Sequence, residues 1–225
     1  MLRAIVFDFD GVLADSEPLH LQAYQDVLAL EGVTLAEDDY YMRYLGYDDV
    51  GAFGAIGRDR GRTWTRGDID RLVQRKAARL ETLERDVTVL FPGAADAVRR
   101  ASTVVPVAIA SGARGDEIRR VLERENLTSC FTAIVAAEDT PVSKPAPEPY
   151  LRAVQLLRQN LGDLAAADCV ALEDSRWGLQ SARAAGLRTV GVAQTYERSV
   201  LIEADLVIDA IDALDLRDLA RLWTP

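Results

Sequence analysis

Cysteine is nearly absent. Only Cys130 and Cys169 occur in 225 residues, 39 positions apart and in no C-x-x-C pair. That excludes a disulfide framework and the usual zinc and dithiol signatures, so both are expected to be reduced small hydrophobes in the interior. Long apolar runs are also missing. The longest, residues 104–110, has seven members and contains Pro106, against the roughly 20 that a membrane-spanning helix needs. Near the N-terminus Asp8 arrives before a signal-peptide apolar region develops, so a cytoplasmic, reduced location is expected. Basic residues are in deficit, 26 against 36 acidic, for a net charge of −10. Such a field disfavours nucleic acid and anionic membranes as partners. Any phosphate site must then be built locally, from backbone N–H groups, a metal and one or two Lys or Arg. There is no internal repeat and no low-complexity tract.

What is present has the profile of an ordinary globular protein, 49% apolar and 28% charged. At about 150 residues per domain, the length suits one large domain or a core with an insert. Short apolar runs recur, each ending in a polar residue: residues 4–7 before Asp8, 104–110 before Ser111, 133–137 before Glu138, 170–172 before Glu173, 189–193 before Gln194 and 206–208 before Asp209. Runs of this length rich in Val and Ile predict buried strands. Between most of them, residues 92–102, 115–125, 149–161 and 175–185 carry apolar residues at three- and four-residue spacing, the pattern of amphipathic helices. The alternation predicts an α/β fold, a doubly wound, mostly parallel, Rossmann-like sheet with helices on both faces.

The rhythm fails across residues 15–89, where no strand is evident. Helices are expected at 16–31, 35–45 and 68–84, with Leu19, Ala23, Val27 and Leu30 as the inward stripe of the first. Gly51, Gly54 and Gly57 read as turn material between helices. The expected organisation is therefore a core of residues 1–14 and 90–225, interrupted by a helical cap of residues 15–89. Hinges are expected at 11–15 and 89–93.

In doubly wound sheets, ligands bind beyond the C-terminal strand ends, which is where the polar residues collect. A strand ending in Asp8-Phe9-Asp10-Gly11 directs two carboxylates the same way while extension persists, and Gly11 lets the chain turn off sharply. A calcium-binding loop does not fit, since its third acid and its last Glu would fall on Val12 and Leu19. Ser111-Gly112 offers a hydroxyl and free N–H groups ahead of a helix, a means of holding phosphate. Lys144 stands in the stiff Lys144-Pro145-Ala146-Pro147 loop as a placed cation. Glu173-Asp174 follows a further strand, with Asp174 the stronger metal ligand; Glu138 and Asp139 are weaker rim candidates. Carboxylates gathered at one edge resist ionising unless a cation joins them, and hard oxygen donors with an open side suit Mg²⁺.

In this order, Asp-x-Asp, Ser, Lys and Glu-Asp, the chain resembles the haloacid dehalogenase-like hydrolases, in the branch with a helical cap after the first motif that includes phosphatases of small metabolites and β-phosphoglucomutase. The resemblance spans residues 5–208. It implies that Asp8 attacks phosphorus and that Asp10 serves as general acid, then general base. It further implies that Mg²⁺ is held by Asp8, the Asp10 carbonyl, Asp174 and Glu173, while Ser111, Gly112 and Lys144 hold the phosphoryl group. The cap is expected to close over the site and select the substrate, through residues drawn from Glu17, His20, Tyr40, Tyr41, Arg43, Tyr47, Arg58, Arg60 and Lys76.

The expected activity is Mg²⁺-dependent hydrolysis of a small phosphorylated metabolite, a sugar phosphate or phosphoglycolate-like compound, by a monomer. A mutase is the alternative, since His20, the only histidine, lies where the mutase carries one. The mutase's arginine shortly after a cap glycine has no match in Tyr47-Asp48-Asp49, with Arg43 the only substitute nearby. Dehalogenases lack an acid at the position of Asp10. A non-catalytic phospho-ligand binding protein would need a broken motif, and none is broken. Which phosphorylated compound is the substrate does not follow from the sequence.

Overall fold

The computed structural model describes residues 1–45, 47–85 and 87–223. Six strands form one sheet: β1 (Ala4–Phe7), β2 (Val107–Ala110), β3 (Phe131–Val135), β4 (Cys169–Glu173), β5 (Arg188–Val192) and β6 (Leu206–Ile208). Their spatial order is β3-β2-β1-β4-β5-β6, and every pairing is parallel. The α/β, Rossmann-like expectation therefore holds. Strands β1, β2 and β4 are buried at every residue, which is why they read as unbroken apolar runs rather than as alternating ones. The chain reverses its direction of growth at β1, between β2 and β4. This is the switch point where such sheets leave a crevice.

Around the sheet lie α5 (Ala94–Ser102), α6 (Gly115–Arg124), α7 (Glu148–Leu161), α8 (Arg176–Ala184) and α9 (Leu216–Arg221), the first four in the expected places. One core layer joins Val6, Ala108 and Ala171 of the sheet to Tyr150, Val154 and Leu157 of α7 and Ala182 of α8. Two strand boundaries differ from expectation. Val104 and Val105 lie outside β2, which starts after Pro106, and Val104 is exposed. Strand β3 runs two residues earlier than the apolar run at 133–137, because Phe131 pairs with Val107.

The chain divides into two compact units, Met1–Asp15 with Val89–Pro225, and Ser16–Thr88. The second unit is helical: α1 (Glu17–Leu30), α2 (Glu37–Asp39) running into a π-helical turn at Tyr40–Tyr44, α3 (Asp49–Asp59) and α4 (Arg66–Glu84). Thr65 and Asp68 form a capping box at the start of α4. The unit has its own apolar core of Leu21, Tyr24, Val27, Leu28, Phe53, Ile56 and Leu72. The stripe of α1 keeps the expected Ala23 and Val27, but Leu30 is exposed, and Leu21, Tyr24 and Leu28 also face inward.

The larger correction is α3. Gly51, Gly54 and Gly57 stand inside this helix rather than in turns. Asp48 caps it by accepting from the Gly51 N–H at 2.7 Å, and Ala52, Phe53, Ala55 and Ile56 supply its buried face. Burial of that face outweighs the roughly 1 kcal/mol that each interior glycine costs relative to alanine.

Candidate active site

Strand register sets the frame. Phe7 lies opposite Ile109 of β2 and Leu172 of β4, so Asp8 leaves the sheet level with Ala110 on one side and Glu173 on the other. The Asp8 N–H continues the ladder to the Leu172 carbonyl at 2.9 Å, and its own Oδ1 accepts from the Phe9 N–H at 2.7 Å. Gly11 then turns the chain with φ of +74°, and a Cβ there would strike the Asp174 carboxylate. Glycine is needed at this position for both reasons. The turn is also held from outside. The Gln194 amide donates to the carbonyls of Gly11 and Val12, at 3.0 and 2.8 Å, and accepts from the Ile211 N–H at 3.0 Å.

Asp8, Glu173 and Asp174 each place a carboxylate oxygen within 4.8 Å of the others, and all three are buried. Lys144 enters from the loop before α7. Its Nζ lies 2.9 Å from Asp8 Oδ1 and 2.6 Å from Glu173 Oε1. Burial opposes the lysine's charge, but Asp8 and Glu173 outweigh it and hold its pKa above the ordinary range. Burial first and the Asp8 charge second push Glu173 up to about 7. Burial, Asp8 and Glu173 drive Asp174 well above the usual carboxylate range. One lysine is thus shared between Asp8 and Glu173 in a cluster of three acids. Glu173 Oε2 is buried with no hydrogen-bond partner among the described residues, an arrangement that costs free energy unless a cation or proton meets it. The donor set fits a hard divalent cation.

Ser111 is buried at the end of β2, its N–H bonded to the Val135 carbonyl and its Oγ accepting from the Ala113 N–H at 3.0 Å. Gly112 beside it is exposed, with open space where a side chain would stand. Asp10 is half-buried, and its backbone forms an isolated parallel β-bridge with Ala14. Glu138 and Asp139 have local duties: Glu138 accepts from the Gly115 N–H at the start of α6, and Asp139 accepts from the Ala136 N–H.

In the helical unit, four of the expected contact residues fall in one polar cluster. Lys76, only 1% exposed, bonds Asp49 at 2.9 Å and His20 Nδ1 at 2.8 Å. The Tyr24 hydroxyl donates to the same Asp49 carboxylate, and the Tyr40 hydroxyl donates to Glu17 at 2.6 Å. Arg43 is engaged differently, by Asp59 at 2.6 Å and Asp39 at 3.7 Å, and Arg60 pairs with Asp39. Tyr41 and Tyr47 are exposed.

The family model for haloacid dehalogenase-like hydrolases matches residues 2–186. The chain belongs to that family. Among its relatives, protein CbbY of Rhodobacter capsulatus is 33% identical over 88% of each chain. Hexitol phosphatase B of Escherichia coli is 32% identical over 97% of this chain and 96% of its own. The crystal structure of β-phosphoglucomutase from Clostridium difficile superposes with a TM-score of 0.85 at 20% identity, covering 99% of this chain and 97% of that one; at that identity the likeness concerns the fold.

Three residues of this haloacid dehalogenase-like hydrolase join the site without having been assigned a role in it from the sequence. Gln194 and Thr195 follow β5, and the Thr195 hydroxyl lies 3.2 Å from the Gly11 carbonyl and also bonds Asp174. Polar residues at a C-terminal strand end were the available signal. Tyr150, whose hydroxyl donates to Glu173 Oε1 at 2.5 Å, carries no such signal, since it occupies an apolar position of α7.

Proposed function

We propose that the protein is a Mg²⁺-dependent phosphatase of a small phosphorylated metabolite, a sugar or polyol phosphate, working through an aspartyl-phosphate on Asp8. The observation that carries this reading is the placement of Asp8 at the sheet's switch point. It is held there by a backbone N–H and a shared lysine, beside two carboxylates that a cation would satisfy. The similarity to hexitol phosphatase B supports the substrate class.

In this scheme an Asp8 oxygen attacks phosphorus and the bond from phosphorus to the ester oxygen breaks. Asp10 gives its proton to the departing alkoxide. A water then attacks the phosphoryl group, Asp10 takes that water's proton, and the bond from phosphorus to the Asp8 oxygen breaks to release phosphate. Lys144, Ser111 and the Gly112 backbone hold the phosphoryl oxygens as charge moves. Asp8, the Asp10 carbonyl, Glu173 and Asp174 are assigned to the cation, which supplies charge neutralisation for one of the slowest uncatalysed hydrolyses known. Substrate selection is assigned to Glu17, His20 and Lys76 of the cap. Arg43, half-exposed beside Asp39 and Asp59, is assigned to the same task. A hydrolase is favoured over a mutase because Asp48 and Asp49 follow the cap glycine, and Asp49 is spent on Lys76.

The test is phosphate release from hexitol, hexose and pentose phosphates, phosphoglycolate and β-glucose 1-phosphate, with and without Mg²⁺, beside the Asp8→Asn variant. Mg²⁺-dependent release is expected, lost by at least about 10⁴-fold in the variant. Equal release from Asp8→Asn would overturn the covalent scheme. Isomerisation of β-glucose 1-phosphate without release would replace the phosphatase by the mutase.

A further inference from the structure

The two oxygens of Glu173 are not equivalent. Oε1 accepts twice, from Lys144 Nζ at 2.6 Å and from the Tyr150 hydroxyl at 2.5 Å, whereas Oε2 is buried with no hydrogen-bond partner among the described residues. Tyr150 and Glu173 are both 0% exposed, so no bulk water replaces the Tyr150 hydroxyl as donor to Oε1. The Tyr150 ring also lies under the same lysine, with Nζ 5.2 Å from the ring centroid, a distance at which the ring face attracts a cation. Helix α8 restrains the carboxylate as well, for a Cβ on Gly178 would strike the Glu173 carboxyl group. A buried carboxylate held by a lysine alone would be free to rotate toward it and draw the ammonium off Asp8. A second, neutral donor on Oε1 removes that freedom.

We propose that Tyr150 is a positioning residue of the active site: its hydroxyl fixes Glu173 through Oε1, which reserves Oε2 for the cation and keeps Lys144 shared with Asp8. The inference rests on the reading of Asp8, Glu173 and Asp174 as a cation site. It adds a residue that touches neither the substrate nor the cation. Outer partners of this kind typically change metal affinity by about 10- to 100-fold when removed.

The experiment is isothermal titration calorimetry of Mg²⁺ into the resting full-length protein, with no substrate, for wild type, Tyr150→Phe, Glu173→Gln and the double variant. Thermal melting of each metal-free protein is recorded beside it. Tyr150→Phe is expected to raise the Mg²⁺ Kd about ten-fold or more, while its metal-free Tm stays within about 5 °C of wild type. In the Glu173→Gln background the same substitution is expected to change Kd by less than about two-fold, since the residue it acts through is gone. A wild-type Kd in Tyr150→Phe would overturn the proposal, as would an undiminished effect in the double variant. A Tyr150→Phe protein that does not fold would overturn it in favour of a purely structural role. A wild-type protein with no saturable Mg²⁺ binding would overturn it too. No arm reads turnover, so loss of the phosphatase reading in the release assay stays a separate result.

Discussion

Lys144 and His20 show opposite results of burying a basic group. Lys144 keeps its charge because two carboxylates reach it. His20 loses its own: burial and the adjacent Lys76 charge lower its pKa to about 3, against a smaller opposing pull from Asp49. The unfolded chain therefore binds a proton at His20 that the folded chain refuses, between about pH 6.5 and 3. Stability from this group is complete above pH 6.5 and is lost as the pH falls through that window, amounting to about 2 kcal/mol by pH 5. Chemical denaturation of wild type and His20→Gln at pH 7.5 and pH 5 checks this. Wild type should lose about 2 kcal/mol more than the variant over that interval, and parallel losses would show that the imidazole is not held neutral. Residue by residue, legibility followed contrast. Asp8, Asp10, Ser111, Lys144, Glu173 and Asp174 stand out as polar groups after apolar strands or in a proline-stiffened loop. Tyr150 does not, because a tyrosine on the inward stripe of a helix satisfies the apolar pattern whether or not its hydroxyl has work to do.

At the scale of elements, the strands were legible to within two or three residues, because both faces of a parallel sheet are covered and the whole strand must be apolar. The errors have local causes: Pro106 delays β2, and the Val107–Phe131 pairing advances β3. Helix α3 was hidden by its glycines, each of which lowers helix propensity and reads as a break. Two of them now make opposite predictions. A Cβ on Gly57 would lie 2.7 Å from the Trp64 ring, whereas one on Gly54 would meet nothing closer than Arg58 Nη1 at 3.5 Å. Gly57→Ala should therefore cost about 1–3 kcal/mol through overpacking. Gly54→Ala should add about 0.4–1 kcal/mol, by reducing the freedom of the unfolded chain at a helical site. Urea denaturation of the two variants decides the matter, and equal shifts of the same sign would mean that Gly57 does not abut Trp64.

For the whole molecule, the two compact units each bury an apolar core of their own, which is the condition for folding separately. The point of insertion is closed within the first unit. Ala14 and Leu90 form an antiparallel bridge, the Asp15 N–H donates to the Val89 carbonyl at 2.6 Å, and the Phe91 N–H donates to the Leu13 carbonyl at 2.9 Å. The two chain crossings thus run side by side, and a short Gly-Ser turn would span them at small cost in loop entropy. Asp8, Ser111, Lys144, Tyr150, Glu173 and Asp174 all belong to that first unit. Replacing residues 16–88 by such a turn should leave a protein that melts cooperatively and binds Mg²⁺ with a Kd within about three-fold of the full chain, since Asp8, Glu173 and Asp174 all stay in the retained part. Discrimination among phosphorylated substrates should be lost with the cap, because Glu17, His20, Arg43 and Lys76, the residues proposed to select the substrate, go with it. Calorimetry and the phosphate-release panel on the excised protein read the two outcomes independently. A non-cooperative melt would show that the core depends on residues 16–88 to fold, and retained substrate ranking would move specificity from the cap to the rim of the sheet.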